Sequence, residues 1–167
     1  NQPVKVVDLA DQVTAHLGTD TFSSKDLVAL MAGQNDVLEQ YRRYPGVGTQ
    51  ALLDAVFDAG KAYAAQVSRI AAAGGKVLVS TVPDIGLSPF AAKENTDTGD
   101  TTRAAFISQL VAKFNEGLRV GIANETGSEV AIMLTDELVQ AMVKFPSSYG
   151  GMSNVTTLKA GGSLSPI

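Results

Sequence analysis

Apolar residues recur along the chain in two rhythms, and the switches between them outline its elements. Val4, Val7, Leu9, Ala10, Val13 and Leu17 keep a helical spacing over residues 4–17, which Gly18 is suited to stop. Leu27 to Ala32 is a continuous apolar run between Ser-Ser-Lys-Asp and Gly33. Such a run predicts a short strand buried on both faces, as in a parallel sheet. From Thr49 to Ala73 the helical spacing returns with Leu52, Leu53, Val56, Phe57, Ala59, Tyr63, Val67 and Ile70. Thr49 is placed to cap that helix and Gly74-Gly75 to end it. Lys76 to Val82 is β-branched and apolar, a second strand. Phe106, Ile107, Leu110, Val111, Phe114, Leu118 and Ile122 give a helix over 102–122. Glu129 to Leu134 is a third strand, and Thr135-Asp136 is placed to cap a short helix from Glu137 to Lys144, before Pro146.

Three strands alternating with helices predict parallel βαβ units joined by right-handed crossovers. The segments between them carry the candidate chemistry. Gly33-Gln34-Asn35-Asp36 reads as a turn at the carboxyl end of the first strand, where open α/β sheets bind ligands. An Asn there aims an amide N–H into the crevice; the same residues also serve simply to reverse a chain. Tyr41 to Gly48 is a loop with two Tyr and two Arg, either a lip over a site or a solvated connection. Pro83 to Pro89 is a turn-rich loop at the same end of the sheet as Asn35. Residues 91–101 read as an exposed polar excursion, and 147–167 as an irregular tail of one domain spanning 1–167.

Composition narrows the function classes. Of the 167 residues 45% are hydrophobic and 18% charged, a balance that builds a core. The net charge is −4, without a Lys/Arg cluster, which argues against nucleic acid or an anionic membrane as partner. There are no cysteines, so disulfides, thiolate metal sites and a Cys nucleophile are excluded. No run of about 18 apolar residues is present to span a membrane. No signal peptide is evident, which fits a cytoplasmic protein or a trimmed mature one. His16, the single histidine, falls in the last turn of the first helix, where it complements the helix dipole. Carboxylates show no metal-ligand spacing, and neither a phosphate loop nor a Gly-x-Ser-x-Gly elbow occurs. Asn124-Glu-Thr and Asn154-Val-Thr match glycosylation acceptors, a triplet that also arises by chance.

Four segments in order carry a resemblance. Ala32-Gly-Gln-Asn-Asp36 after an apolar strand resembles the Gly-x-Asn-Asp block of the SGNH (GDSL) esterase and lipase superfamily. Val79-Ser-Thr-Val-Pro-Asp-Ile-Gly-Leu-Ser-Pro-Phe90 is similar to that family's strand and Pro-Asp-(Leu/Ile)-Gly-Leu-Thr-Pro loop, as in secreted and autotransporter esterases. Phe114-Asn-Glu-Gly-Leu118 resembles its Phe-Asn-x-x-Leu helix. Phe145-Pro-Ser-Ser-Tyr-Gly150, with Asn154-Val155 after it, resembles its Asn-Pro-x-x-Tyr-Gly-Phe segment. The matches run from about residue 25 to residue 157.

The resemblance implies a three-layer α/β/α sandwich on a flavodoxin-like parallel sheet, here without its first strands and last helix. It implies carboxylic or lipid ester hydrolysis through an acyl-serine, with no metal or organic cofactor and a small-molecule or lipid ester as partner. Asn35 would donate its side-chain amide to the oxyanion, and Gly33 would support the turn beside it. The family's Gly-Asp-Ser-Leu nucleophile block and Asp-x-x-His block have no counterpart in the chain, so the nucleophile Ser and base His are missing and the chain alone is expected to be inactive. Asp136 matches a non-catalytic position. Gly161-Gly-Ser-Leu-Ser-Pro166 looks like a damaged nucleophile block, but no strand precedes it and Gly162 replaces the Asp, so Ser163 reads as part of the tail. The family implies a secreted, periplasmic or cell-surface location. The alternative is a flavodoxin-like binding or structural domain without catalysis. In the resembling fold a nucleophile-bearing strand lies beside Leu27–Ala32. Without it that strand is an edge, expected to pair with another copy, a swapped segment or a separate N-terminal piece.

Overall fold

Two long helices cross with their backbones almost touching, and the rest of the structure packs around that contact. A computed structural model describes residues 7–123 and 129–150. Its elements are helix α1 (Leu9–Thr19), strand β1 (Leu27–Leu30), helices α2 (Gln34–Arg42) and α3 (Thr49–Ala72), strand β2 (Lys76–Ser80), a 3-10 turn (Ile85–Leu87), helices α4 (Pro89–Thr98) and α5 (Arg103–Ala123), strand β3 (Val130–Met133) and helix α6 (Thr135–Lys144), followed by a second 3-10 turn (Pro146–Ser148). The three strands form one parallel sheet in the order β1-β2-β3. The fold is therefore mixed α/β, as the alternating pattern requires.

The α3–α5 crossing is made by glycines. A Cβ on Gly60 would lie 2.1 Å from the Phe114 carbonyl oxygen, and one on Gly117 2.1 Å from that of Phe57. Around this contact Leu52, Val56, Val67 and Ile70 of α3 and Ile107, Leu110, Phe114 and Leu118 of α5 are fully buried. Each such side chain contributes about 1.5–3 kcal/mol relative to exposure. Val77 and Val79 of β2 complete this core from the sheet.

Strand register shows which face the core takes. Val28 and Leu30 lie beside Val77 and Val79, which lie beside Val130 and Ile132. The opposite face carries Leu27, Ala29, Lys76, Leu78, Ser80, Ala131 and Met133; Leu27 and Met133 are exposed on it, and Ser80, bonded to Thr135, is buried at its carboxyl end. Leu27–Leu30 alternates between exposed and half-buried positions. This corrects the expectation of a strand buried on both faces. Among the described residues β1 pairs with β2 on one side only, and a helical layer covers one of its faces.

Several boundaries also differ from the sequence expectation. Within the described residues the first helix begins at Leu9 and runs through Gly18, ending where the Asp20 N–H meets the His16 carbonyl. Gly33-Gln34-Asn35-Asp36 is not a reversing turn: Gly33 takes φ +104° and α2 starts directly after it. Tyr41 and Arg42 thus belong to a helix and not to a loop. The residue before α3 is Gly48, and Thr49 provides no cap. Residues 91–101 are not an excursion, since Ser88 caps α4 through the Ala91 N–H, Pro89 fills its first position, and Ala91 is buried. α6 begins at Thr135, with Leu134 before it. Of the tail, residues 147–150 are described; Ser163 and both glycosylation triplets lie outside the described residues. No helix among those described is long and apolar enough to cross a membrane.

Replacing Gly117 by Ala should destabilise the protein by about 1–3 kcal/mol in urea denaturation. Its helix propensity is better by about 1 kcal/mol, but the methyl group meets backbone, which cannot swing aside.

Candidate functional site

In a parallel sheet the carboxyl ends of all strands share one edge. Three segments of interest converge there: Gly33–Asp36 after β1, Thr81–Pro89 after β2 and Leu134–Asp136 after β3. α5 runs behind all three and holds each by a different side chain.

At the first segment, Gly33 is buried against α5. A Cβ there would lie 2.3 Å from Phe114 Cζ and 2.8 Å from Val82 Cγ2, so glycine is required by space as well as by φ. Below it the Tyr63 hydroxyl is buried beside the Ala32 backbone without reaching hydrogen-bond geometry, and burial pushes its pKa up to about 12. α2 then projects from the edge with no side-chain cap. Asn35 sits in its first turn, exposed, and its side chain makes no hydrogen bond among the described residues. The structure therefore places Asn35 at the carboxyl edge with its amide uncommitted.

At the second segment, Asn115 is fully buried and clasps the exit of β2. Its Oδ1 accepts from the Val82 N–H at 2.9 Å, and its Nδ2 donates to the Val82 carbonyl at 2.9 Å. Asp84 accepts from the Gly86 N–H at 3.1 Å, from Ser108 Oγ at 2.6 Å and from Gln140 Nε2 at 3.3 Å. This carboxylate ties the loop to α5 and α6.

The third segment corrects the role expected of Asp136. It does not cap α6; it lies inside the first turn, buried, with its carboxylate shared among three side chains. Thr81 Oγ1 donates to Oδ1 at 2.7 Å, and Arg119 Nη2 and Asn115 Nδ2 donate to Oδ2 at 2.8 Å and 3.2 Å. The Asp136 N–H returns a bond to Thr81 Oγ1 at 3.2 Å. Thr135 Oγ1 bonds the Thr81 carbonyl beside it. Burial alone would raise the Asp136 pKa, but the bonds from Thr81 and Arg119 outweigh it and hold the carboxyl below the usual carboxylate range.

The remaining sequence candidates fall elsewhere. His16 stacks on Phe22 with ring centroids 4.5 Å apart. Phe22 packs on Gly74 and Gly75 just before β2, so His16 belongs to the amino edge, away from Asn35. Tyr41 and Tyr44 form no lip. The Tyr41 hydroxyl donates to Glu94 at 2.7 Å and accepts from Arg103, whose guanidinium lies 5.4 Å from the Tyr44 ring centroid. They tie α2 to α4 and α5. Among the described residues no three His, Asp or Glu side chains converge as a metal site.

Arg119 has no signal in the sequence, and Asn115 and Thr81 stand there only inside resembling segments, without a role of their own. A second signal for Asn115 is that it is a polar residue on the apolar stripe of α5, next to Phe114 and three before Leu118.

Asp136→Asn should cost about 1–3 kcal/mol at pH 7, because Arg119 and Thr81 lose a charged acceptor. The native carboxyl titrates below its unfolded value, so its contribution is full above about pH 4 and is lost as pH falls through the lower folded pKa. Urea titrations at pH 7 and pH 3 should show the gap between wild type and variant shrinking in acid. No protein-family model matches the chain, and comparison with curated proteins finds no match.

Proposed function

We propose that the chain is the middle portion of an SGNH-type serine esterase, contributing the oxyanion-hole side of the site. The observation that carries this reading is Asn35. It stands two residues after a glycine with positive φ at the carboxyl end of a parallel strand, and its amide has no hydrogen-bond partner among the described residues. An oxyanion donor needs this combination: a fixed backbone beneath and an N–H that is not already spent. Gly33, wedged on Phe114, fixes the start of α2 and therefore the point from which Asn35 projects. The Pro83–Pro89 loop stands at the same edge and is immobilised through Asp84.

In the mechanism implied, a serine from a Gly-Asp-Ser-Leu block attacks the ester carbonyl, and the Asn35 amide donates to the carbonyl oxygen as it becomes an oxyanion. The serine proton passes to a histidine from an Asp-x-x-His block, which returns it to the leaving alkoxide. Water then hydrolyses the acyl-serine. Both blocks would come from sequence flanking these residues, together with the helices that would close the open sheet face into a three-layer sandwich. The two buried carboxylates at the edge, Asp84 and Asp136, are bound up in structural hydrogen bonds, and neither is free to serve as the missing base. Acyl-ester substrates and a secreted or cell-surface setting belong to the same reading.

The 167-residue chain should not hydrolyse p-nitrophenyl esters above background, and a fluorophosphonate should not label Ser163. In the protein with its native flanking sequence, Asn35→Ala should lower kcat by about 10²–10³-fold with little change in KM. An unchanged kcat, or serine-dependent turnover by the chain alone, would overturn the assignment.

A further inference from the structure

We propose that Tyr63 is a positioning residue for Asn35: its hydroxyl accepts from the Ala32 N–H and steadies the glycine pivot on which α2 turns out of the sheet. Its consequence for catalysis rests on the esterase reading; its geometry rests on two unpartnered groups. Tyr63 belongs to α3 and is 5% exposed. Its Oη is buried and makes no hydrogen bond among the described residues. Buried polar atoms are nearly always paired, so such a hydroxyl calls for a reason. The Ala32 amide is the backbone group beside it. That N–H lies just past the end of β1 and likewise has no hydrogen-bond partner among the described residues. A donor and an acceptor thus lie side by side, short of bond geometry, and neither has another bond to give up in closing the gap.

The place of this pair gives it a role. The Tyr63 and Phe114 ring centroids are 6.1 Å apart, and Phe114 is the ring on which Gly33 is wedged. Gly33, at φ +104°, is the residue here whose backbone turns most freely. A rotation at Gly33 redirects the first turn of α2, and Asn35 moves with it. Packing on Phe114 limits that rotation from one side without selecting a torsion. A hydrogen bond is directional, so one made to the peptide just before Gly33 fixes where the pivot begins. The precision matters, because a misplacement of about 1 Å in a reacting constellation can cost about 10²-fold in rate. A phenylalanine would pack on Phe114 equally well, which leaves the hydroxyl as the part with this task.

The test is a double-mutant cycle in the protein with its native flanking sequence, joined to amide exchange on the 167-residue chain. Tyr63→Phe keeps the ring and removes the hydroxyl alone. It should lower kcat about tenfold, less than Asn35→Ala does, with KM unchanged. In the Asn35→Ala background it should change nothing further, because Tyr63 acts only through Asn35. In the chain itself Tyr63→Phe should speed exchange of the Ala32 amide at least about threefold and leave the buried Leu110 amide as it was. Equal kcat in wild type and Tyr63→Phe, losses that multiply in the double variant, a change confined to KM, or unaltered Ala32 exchange would each overturn the inference. An Asn35→Ala variant with full kcat would instead overturn the esterase reading, and the Ala32 exchange would still decide whether Tyr63 holds the pivot.

Discussion

Backbone contact between α3 and α5 at Gly60 and Gly117 is the constraint on which the carboxyl edge depends. It sets how close α5 lies to the core, and α5 then fixes the edge along its length. Ser108 holds Asp84, Phe114 supports Gly33, Asn115 clasps Val82 and Arg119 holds Asp136. These positions span three turns of one helix. A displacement of α5 by a methyl group's width would shift all four together. The glycines are thus linked to the candidate site through packing and not through any contact with it.

The polar groups at this edge divide by what they are bonded to. Asp84, Asn115 and Asp136 are buried and fully engaged, and unpaired groups there would cost far more than their bonds contribute. They stiffen the crevice. Asn35 is the opposite case, exposed in the first turn of α2 and without a side-chain hydrogen bond among the described residues. A rigid edge beneath an uncommitted amide is the physical content of the proposed oxyanion role.

The sequence made the long elements legible because their apolar residues repeat over many turns. α3 and α5 were expected within a residue or two of where they lie, and β2 and β3 within two. Two of the shorter helices, α2 and α4, lack such repetition and do not stand out in the sequence. α2 buries Val37 and Tyr41 alone, and its opening Gln-Asn-Asp reads as a turn by composition. α4 buries Ala91 alone; its Ser88-Pro89 start was the readable signal. The burial of β1 was misjudged because an apolar run does not say how many layers will cover it. Asp136 was misjudged because its bonds to Thr81, Asn115 and Arg119 cross 55, 21 and 17 residues of sequence, beyond any local pattern. Gly33 and Asn35 are candidates in the sequence through their place after an apolar run and through resemblance, while the reason for Gly33, the Phe114 ring beneath it, is visible only in three dimensions.

Native-state hydrogen exchange tests most directly the claim that α5 organises the edge. The amides of Val82, Val37 and Asp136 report on the three edge segments through their bonds to Asn115, Gly33 and Thr81. If α5 holds them as one unit, they exchange with the same opening free energy and denaturant dependence as the buried amides of α5. Separate, low-energy opening of these amides while α3 and α5 stay protected would contradict the account.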